Sequence, residues 1–179
     1  YRCTPQTARR VELIREGAVG VVRTIDATFA CDCGWKPESR QLNPALGGGG
    51  ILDAGCYTVS MARLIAGIAL GQDVAEPIEV MGAGHVGKPG VDECAAGTLL
   101  FADDIVARIA TGVQCTQDNK VIIHGSSGRI EVPEPWFCHG REAGESIIIV
   151  KGEAVSVAAD RSIYAYEADI VAANIERRQ

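Results

Sequence analysis

From Pro77 onward the chain is a succession of short, apolar and β-branched segments punctuated by turn residues, and this limits the fold more than any other feature. Ile78 to Ala83, Ala95 to Phe101, Ile105 to Val113, Lys120 to His124 and Arg129 to Val132 read as strands. Asp103-Asp104 and Ser126-Ser127-Gly128 mark turns between them. Glu145 to Val150 and Ala154 to Ala158 read as a further hairpin around Lys151-Gly152-Glu153. Connections this short cannot cross a sheet, so the pairing must be mostly antiparallel.

The first third reads differently. Thr4-Pro5 has the form of a helix start, a cap followed by proline at the first helical position, with Val11, Leu13 and Ile14 on one side and Gly17 as a stop. Val19 to Ala30 reads as a strand, Asp32 to Leu46 as a loop, and Ile51 to Ala66 as a second helix. Ile163 to Arg178 reads as a final amphipathic helix with Ile163, Ala165 or Tyr166, Ile170, Ala173 and Ile175 inward. Together these elements predict one α+β domain over residues 1–179: a large, mostly antiparallel, open-faced sheet with helices on one face. Successive apolar residues at Thr98 to Phe101 and Val121 to Ile123 predict that the open face is apolar enough to need a partner.

Composition narrows the partners. A length of 179 residues, 47% hydrophobic and 22% charged, suits one globular domain. A net charge of −6 with no basic run argues against nucleic acid. Asp53 and Arg63 interrupt the most apolar stretch, so no membrane span is expected, and the first residues lack the apolar stretch of a signal peptide. The cysteines are Cys3, Cys31, Cys33, Cys56, Cys94, Cys115 and Cys138, an odd number with no Cys-x-x-Cys pair. His85, His124 and His139 do not stand at ligand spacing with them, so reduced thiols in a cytoplasmic protein are expected, and no metal site.

Chemistry concentrates in residues 47 to 63, where four glycines precede Ile-Leu-Asp-Ala-Gly-Cys-Tyr. The glycines are read as a flexible approach that lets backbone come close to a ligand. Ile51, Leu52, Gly55, Val59 and Ala62 or Arg63 fall near one another on a helix. Asp53 and Tyr57 stand four residues apart, one turn apart on a shared face. A carboxylate and a phenol aimed at one point can hold a hydroxyl or carbonyl and move a proton to it. The spacing alone suits still better a first-turn acid favoured by the helix dipole and a rim aromatic in water.

The segment resembles the central signature of the C-terminal domain of the Gfo/Idh/MocA oxidoreductases: a Gly-rich turn, Asp, three residues, then His or Tyr. Tyr57 with Gly-Cys before it is most similar to the glucose–fructose oxidoreductase and dihydrodiol dehydrogenase branch. Weaker similarities follow in family order: Tyr1 to Gln6, with Thr4 where a His commonly stands; Glu12 to Gly20; Arg40 to Pro44; Gly125 to Pro133; and Tyr166 to Asp169. A Gly-x-Gly-x-x-Gly turn after a strand and a Glu-Lys-Pro motif, both carried by complete members, do not occur here.

The resemblance implies a substrate-binding and dimerisation domain without its Rossmann domain. It makes Tyr57 the general acid/base and Asp53 the residue that orients a substrate hydroxyl. An unperturbed Tyr titrates near 10. Without the family's Lys, Tyr57 is expected to be idle unless another chain supplies a cation. Arg40 and Asn43 on the approach loop are candidates for substrate contact or for fixing the loop. Trp35, Trp136 and Phe137 are candidates for pocket walls or for packing caps. Arg2 would face either the cofactor domain or water, and His124 and His139 are read as structural or solvated.

The complete parent implied by the resemblance is an NAD(P)-dependent enzyme transferring hydride to or from a hydroxyl or carbonyl of a sugar, polyol or dihydrodiol. This chain alone is expected to bind neither NAD nor NADP and to be inactive. A homodimer through the open sheet face is expected, as the family uses that face, with contributions from strands between Thr98 and Ile123 and from Ile147 to Val150. The alternative is a stand-alone, non-enzymatic binding or dimerisation module. An upstream frame encoding the two missing motifs favours the enzyme, and a start codon just before Tyr1 favours the module.

Overall fold

In the computed structural model, which describes residues 1–175, the chain runs as α1 (Pro5–Arg15), β1 (Val22–Ala30), a 3-10 turn at Pro44–Leu46, a π-helical turn at Ile51–Gly55, and α2 (Cys56–Ala69). The sheet strands follow: β2 (Glu79–Val86), β3 (Asp92–Leu100), β4 (Val106–Gly112), β5 (Val121–Gly125), β6 (Gly128–Val132), β7 (Gly144–Val150) and β8 (Glu153–Ala159). Helix α3 (Ile163–Ile175) closes the described chain, and the expected helix residues 176–178 lie outside it.

The sheet order is β2-β3-β4-β1-β5-β6-β7-β8. Every neighbouring pair is antiparallel except β1 and β4, which run parallel in the register Ile25↔Ala107. The exception has a cause. The chain leaves β1, forms α2 and the β2–β3 hairpin, and only then returns beside β1, a connection long enough for a parallel crossover. β1 starts later than the pattern of Val19 to Ala30 predicts, because Gly20 turns the backbone at φ 72°.

Alternation along the strands sorts the two faces. Ile25, Ala27, Ala107, Val121, Ile123, Ile130 and Ile148 point to one side and are buried there. Leu13 and Ile14 of α1 and Met61, Ala62 and Ile65 of α2 join them in one core. Each buried Ile or Leu stabilises by roughly 1.5–3 kcal/mol. The apolar stretch Pro44–Ala69 is long and apolar enough to cross a membrane, but 56% of its most apolar window is buried, and α2 supplies much of this core.

The other face corrects an expectation: it is mixed rather than apolar. Cross-strand partners place Asp26, Arg108, Ile122, Glu131 and Ile149 together on it. Asp26 takes hydrogen bonds from Arg108 at 2.7 Å and lies 3.2 Å from His124 Nε2, so a charged cluster sits mid-sheet between apolar flanks. Of the strands between Thr98 and Ile123, Ile123 itself points into the core.

Two helix expectations also change. Thr4 does precede Pro5, but its hydroxyl donates to the Tyr1 carbonyl at 2.9 Å instead of capping α1. In α3 only Ile163 is buried; Ile170 is 53% exposed and Ile175 67%. The helix is apolar nearly all round, so its sequence pattern marks no single inner stripe.

Candidate functional site

The glycine run places the site by letting backbone come close to backbone. At Gly49, with φ 117°, a Cβ would stand 2.2 Å from Asp92 Oδ1, and at Gly50 it would stand 3.0 Å from Gly112 Cα. The close approach is to the protein's own β3 and β4 end. Asp92 then accepts a 2.7 Å hydrogen bond from the Ile51 N–H. This anchors the π-helical turn, whose wider winding presents Asp53 just before α2 delivers Tyr57.

Asp53, largely shielded, pairs with Arg40, which reaches over from the loop after β1. Arg40 lies within electrostatic range of Tyr57 as well as Asp53. Burial, with the negative groups of Cys56 and Asp53 nearby, raises the Tyr57 phenol above its usual value. The phenol is therefore poorly disposed to ionise near neutrality, and the adjacent cation is already committed to Asp53.

An aromatic cluster frames Tyr57. Its ring lies 5.3 Å from Tyr1, 5.3 Å from Phe29 and 6.2 Å from Trp136, centroid to centroid. Trp136 is buried, stacks on Phe29 at 5.4 Å, and donates its indole N–H to the Thr28 carbonyl at 2.8 Å. It supports the cluster from beneath. Phe137 meets Phe29 edge-on at 5.9 Å and is exposed. Tyr1 and Phe29 were not singled out from the sequence. Phe29 is legible only through its alternation with Ile25 and Ala27, and Tyr1 carries no local signal.

The remaining candidates divide. Asn43 Oδ1 accepts the Ala45 N–H at 2.9 Å, which makes it the cap of the 3-10 turn. Trp35 is 54% exposed and makes no ring contact with the cluster. Arg2 donates to Ser60 Oγ at 3.1 Å. His139 Nε2 lies 2.7 Å from the Arg161 carbonyl. Among the described residues, no three His, Cys, Asp or Glu side chains gather at metal-ligand spacing.

An apolar groove of about 640 Å³ lies on a different face of α2. Ile51, Gly55, Val59 and Arg63 line it opposite β2 and β3. These residues do share a helical face, as their spacing predicts, but that face borders the groove rather than Tyr57.

Comparison with known proteins gives this geometry a context. A family model described as the GFO/IDH/MocA C-terminal domain matches residues 7–131. The trans-1,2-dihydrobenzene-1,2-diol dehydrogenase of Danio rerio is 28% identical over 137 residues, 76% of this chain and 39% of that protein. The D-xylose 1-dehydrogenase (NADP(+)) 2 of Haloferax volcanii is 26% identical over 157 residues, 87% of this chain and 46% of that one. Among solved structures, the aldose-aldose oxidoreductase of Caulobacter crescentus, complexed with glycerol, superposes with a TM-score of 0.76 at 24% identity. That match covers 98% of this chain and 52% of the other. The 3-ketoreductase KijD10 of Actinomadura kijaniata, with NADP and TDP-benzene, gives 0.72 at 19% identity, covering 97% and 50%. The chain thus spans about half, or less, of these proteins.

Proposed function

The chain belongs to the GFO/IDH/MocA C-terminal domain family, and from that premise we propose that residues 1–179 form the substrate-binding and dimerisation domain of an NAD(P)-dependent oxidoreductase. The substrate is a sugar, polyol or dihydrodiol that reacts at a hydroxyl or carbonyl. The observation that carries the proposal is the meeting of the Arg40–Asp53 pair with Tyr57 on one exposed, aromatic-framed surface.

On this surface the roles follow from the chemistry. Asp53, its carboxylate fixed by Arg40, accepts a hydrogen bond from a substrate hydroxyl and sets its orientation. Tyr57 Oη exchanges a proton with the reacting oxygen. Tyr1, Phe29 and Phe137 offer apolar ring edges to the carbon skeleton. With its phenol raised and, among the described residues, its adjacent cation Arg40 paired with Asp53, Tyr57 needs a positive group from elsewhere for turnover.

The π-helical turn that opens the site does not suit a dinucleotide. A pyrophosphate favours an unoccupied helix N-terminus, whereas the start of the π-helical turn is taken by the carboxylate of Asp92. We infer that NAD or NADP is held by a separate dinucleotide-binding part of a longer protein. The chemistry such a cofactor supplies is hydride exchange with the substrate carbon.

Saturation-transfer NMR of the purified chain with glycerol, an aldose and a trans-dihydrodiol tests the proposal. Saturable contact with at least one, lost in both Asp53→Ala and Tyr57→Ala, is expected. Contact with none of them, or contact that survives both substitutions, would overturn it. NADPH fluorescence titration should give no saturable micromolar binding.

A further inference from the structure

At the foot of the loop that carries Arg40, two thiols touch. The Sγ atoms of Cys31 and Cys33 lie 3.3 Å apart. The backbone that holds them is pinned: the Cys31 N–H donates to the Gly112 carbonyl at 3.0 Å and the Cys33 N–H to the Val113 carbonyl at 2.9 Å. Asp32 between them bridges to Gln114, so the segment is extended and both side chains leave on the same side. Both thiols are partly exposed.

We propose that Cys31 and Cys33 form a reversible dithiol–disulfide modification site that resets the Arg40 loop. Two residues of extended chain span about 6.6 Å, inside the roughly 4.4–6.8 Å separation of Cα atoms that a disulfide accepts. Closing the bond draws the sulfurs from 3.3 Å to about 2.05 Å. Both backbone N–H groups are tied to the β4 end, so closure is taken up by the side chains, and the Cys33 side chain shifts against the residues it packs on. Cys33 packs on Leu42, Val91 and Val113, the small core that holds the loop down, and lies within electrostatic range of Asp53 and Arg40. Movement at Cys33 therefore reaches the Arg40–Asp53 pair through packed neighbours.

The exchange balances with a disulfide oxidant such as oxidised glutathione. The Cys31 thiolate attacks one glutathione sulfur, forms a mixed disulfide and releases one glutathione thiolate. Cys33 loses its proton and attacks Cys31 Sγ, releasing the second. Two protein thiols are oxidised, one glutathione disulfide is reduced, and the two thiol protons go to the two glutathiones. Burial, with Cys31 beside it, pushes the Cys33 thiol up to about 12. Cys31, partly exposed just beyond the end of β1, takes the first step, and Cys33, seated on its small core, closes the bond.

The full chain, equilibrated in reduced and oxidised glutathione, tests this by intact mass and peptide mapping. Loss of two hydrogens, mapped to a Cys31–Cys33 bond and reversed by dithiothreitol, is expected. Cys33→Ser should instead accumulate a glutathione adduct on Cys31. Quenching of Trp35, two residues beyond Cys33, should change on oxidation in the wild type and not in Cys31→Ser. Glutathione adducts on both cysteines of the wild type without closure, or independent alkylation of the two under oxidising buffer, would overturn the site. Closure with unchanged Trp35 quenching would overturn its coupling to the loop. Because none of these measurements needs turnover or substrate, they stand apart from the test of the oxidoreductase role.

Discussion

Arg40 and Asp53 form an ion pair between the loop after β1 and the π-helical turn before α2, joining two parts of the surface that carries Tyr57. Arg40 is 62% exposed in its side chain, so the pair contributes little to stability, about 0–1 kcal/mol. Arg40→Ala should lower Tm by no more than about 2–4 °C. Its effect on ligand contact should be larger, because Asp53 loses the group that orients it. Thermal melting beside saturation-transfer NMR separates the two effects, and a large Tm loss with intact ligand contact would contradict this assignment.

The Tyr57 phenol is raised above its usual value, chiefly by burial. Its stabilising contribution is complete below the unfolded value near 10 and is lost as pH rises through the higher folded one. The ultraviolet difference titration between the wild type and Tyr57→Phe should show a phenolate step above pH 10. Alkaline destabilisation should be weaker in the variant. A Tyr57 step at or below 10 would remove the basis for its idleness in the isolated chain.

Gly47 and Gly49 make a matched pair for testing what the glycine run does. Both have positive φ, but a Cβ at Gly47 meets open space whereas one at Gly49 collides with Asp92. Gly47→Ala should cost about 1 kcal/mol from backbone strain alone. Gly49→Ala should cost about 1–3 kcal/mol more, because it also displaces the Asp92 anchor of the π-helical turn. Urea unfolding of both variants measures the difference, and equal costs would show that the Asp92 approach is unimportant.

Arg10 is fully buried in α1, donates to Thr7 Oγ1 at 2.7 Å, and leaves Nε and Nη1 without a partner among the described residues. Burial lowers its guanidinium to about 10. Replacing a buried, poorly paired charge with an apolar side chain of similar length is often neutral or stabilising by about 1–4 kcal/mol. Arg10→Met should therefore hold or raise Tm in calorimetry. A clear fall would mean that the guanidinium has a compensating partner.

A homodimer through the open sheet face should bury about 1,600 Å² or more in total. Ile149 lies on an apolar flank of that face, across from Glu131. Ile149→Asp should shift light scattering at micromolar concentration from dimer to monomer, while Ile148→Asp, aimed into the core, should unfold the protein. A wild-type monomer at all concentrations would mean that the charged centre around Asp26 and Arg108 keeps the face wet.

The sequence by itself determined the α+β class, every strand to within a few residues, and the Asp53–Tyr57 spacing. These depend on local alternation, turn chemistry and a short motif, all written in contiguous residues. Only the tertiary structure decided that β1 pairs parallel with β4, since that neighbour is chosen by a connection running from one end of the sheet to the middle. It also decided that Gly49 and Gly50 pack against Asp92 and Gly112, and that Arg40 pairs with Asp53. Tyr1 and Phe29 joined the site for the same reason: their partners are distant in sequence, and alternation says which way a side chain points but not what it meets. The mixed character of the open face followed likewise. Asp26, Arg108 and His124 come from three strands, and their charges form one cluster only once the register brings them side by side.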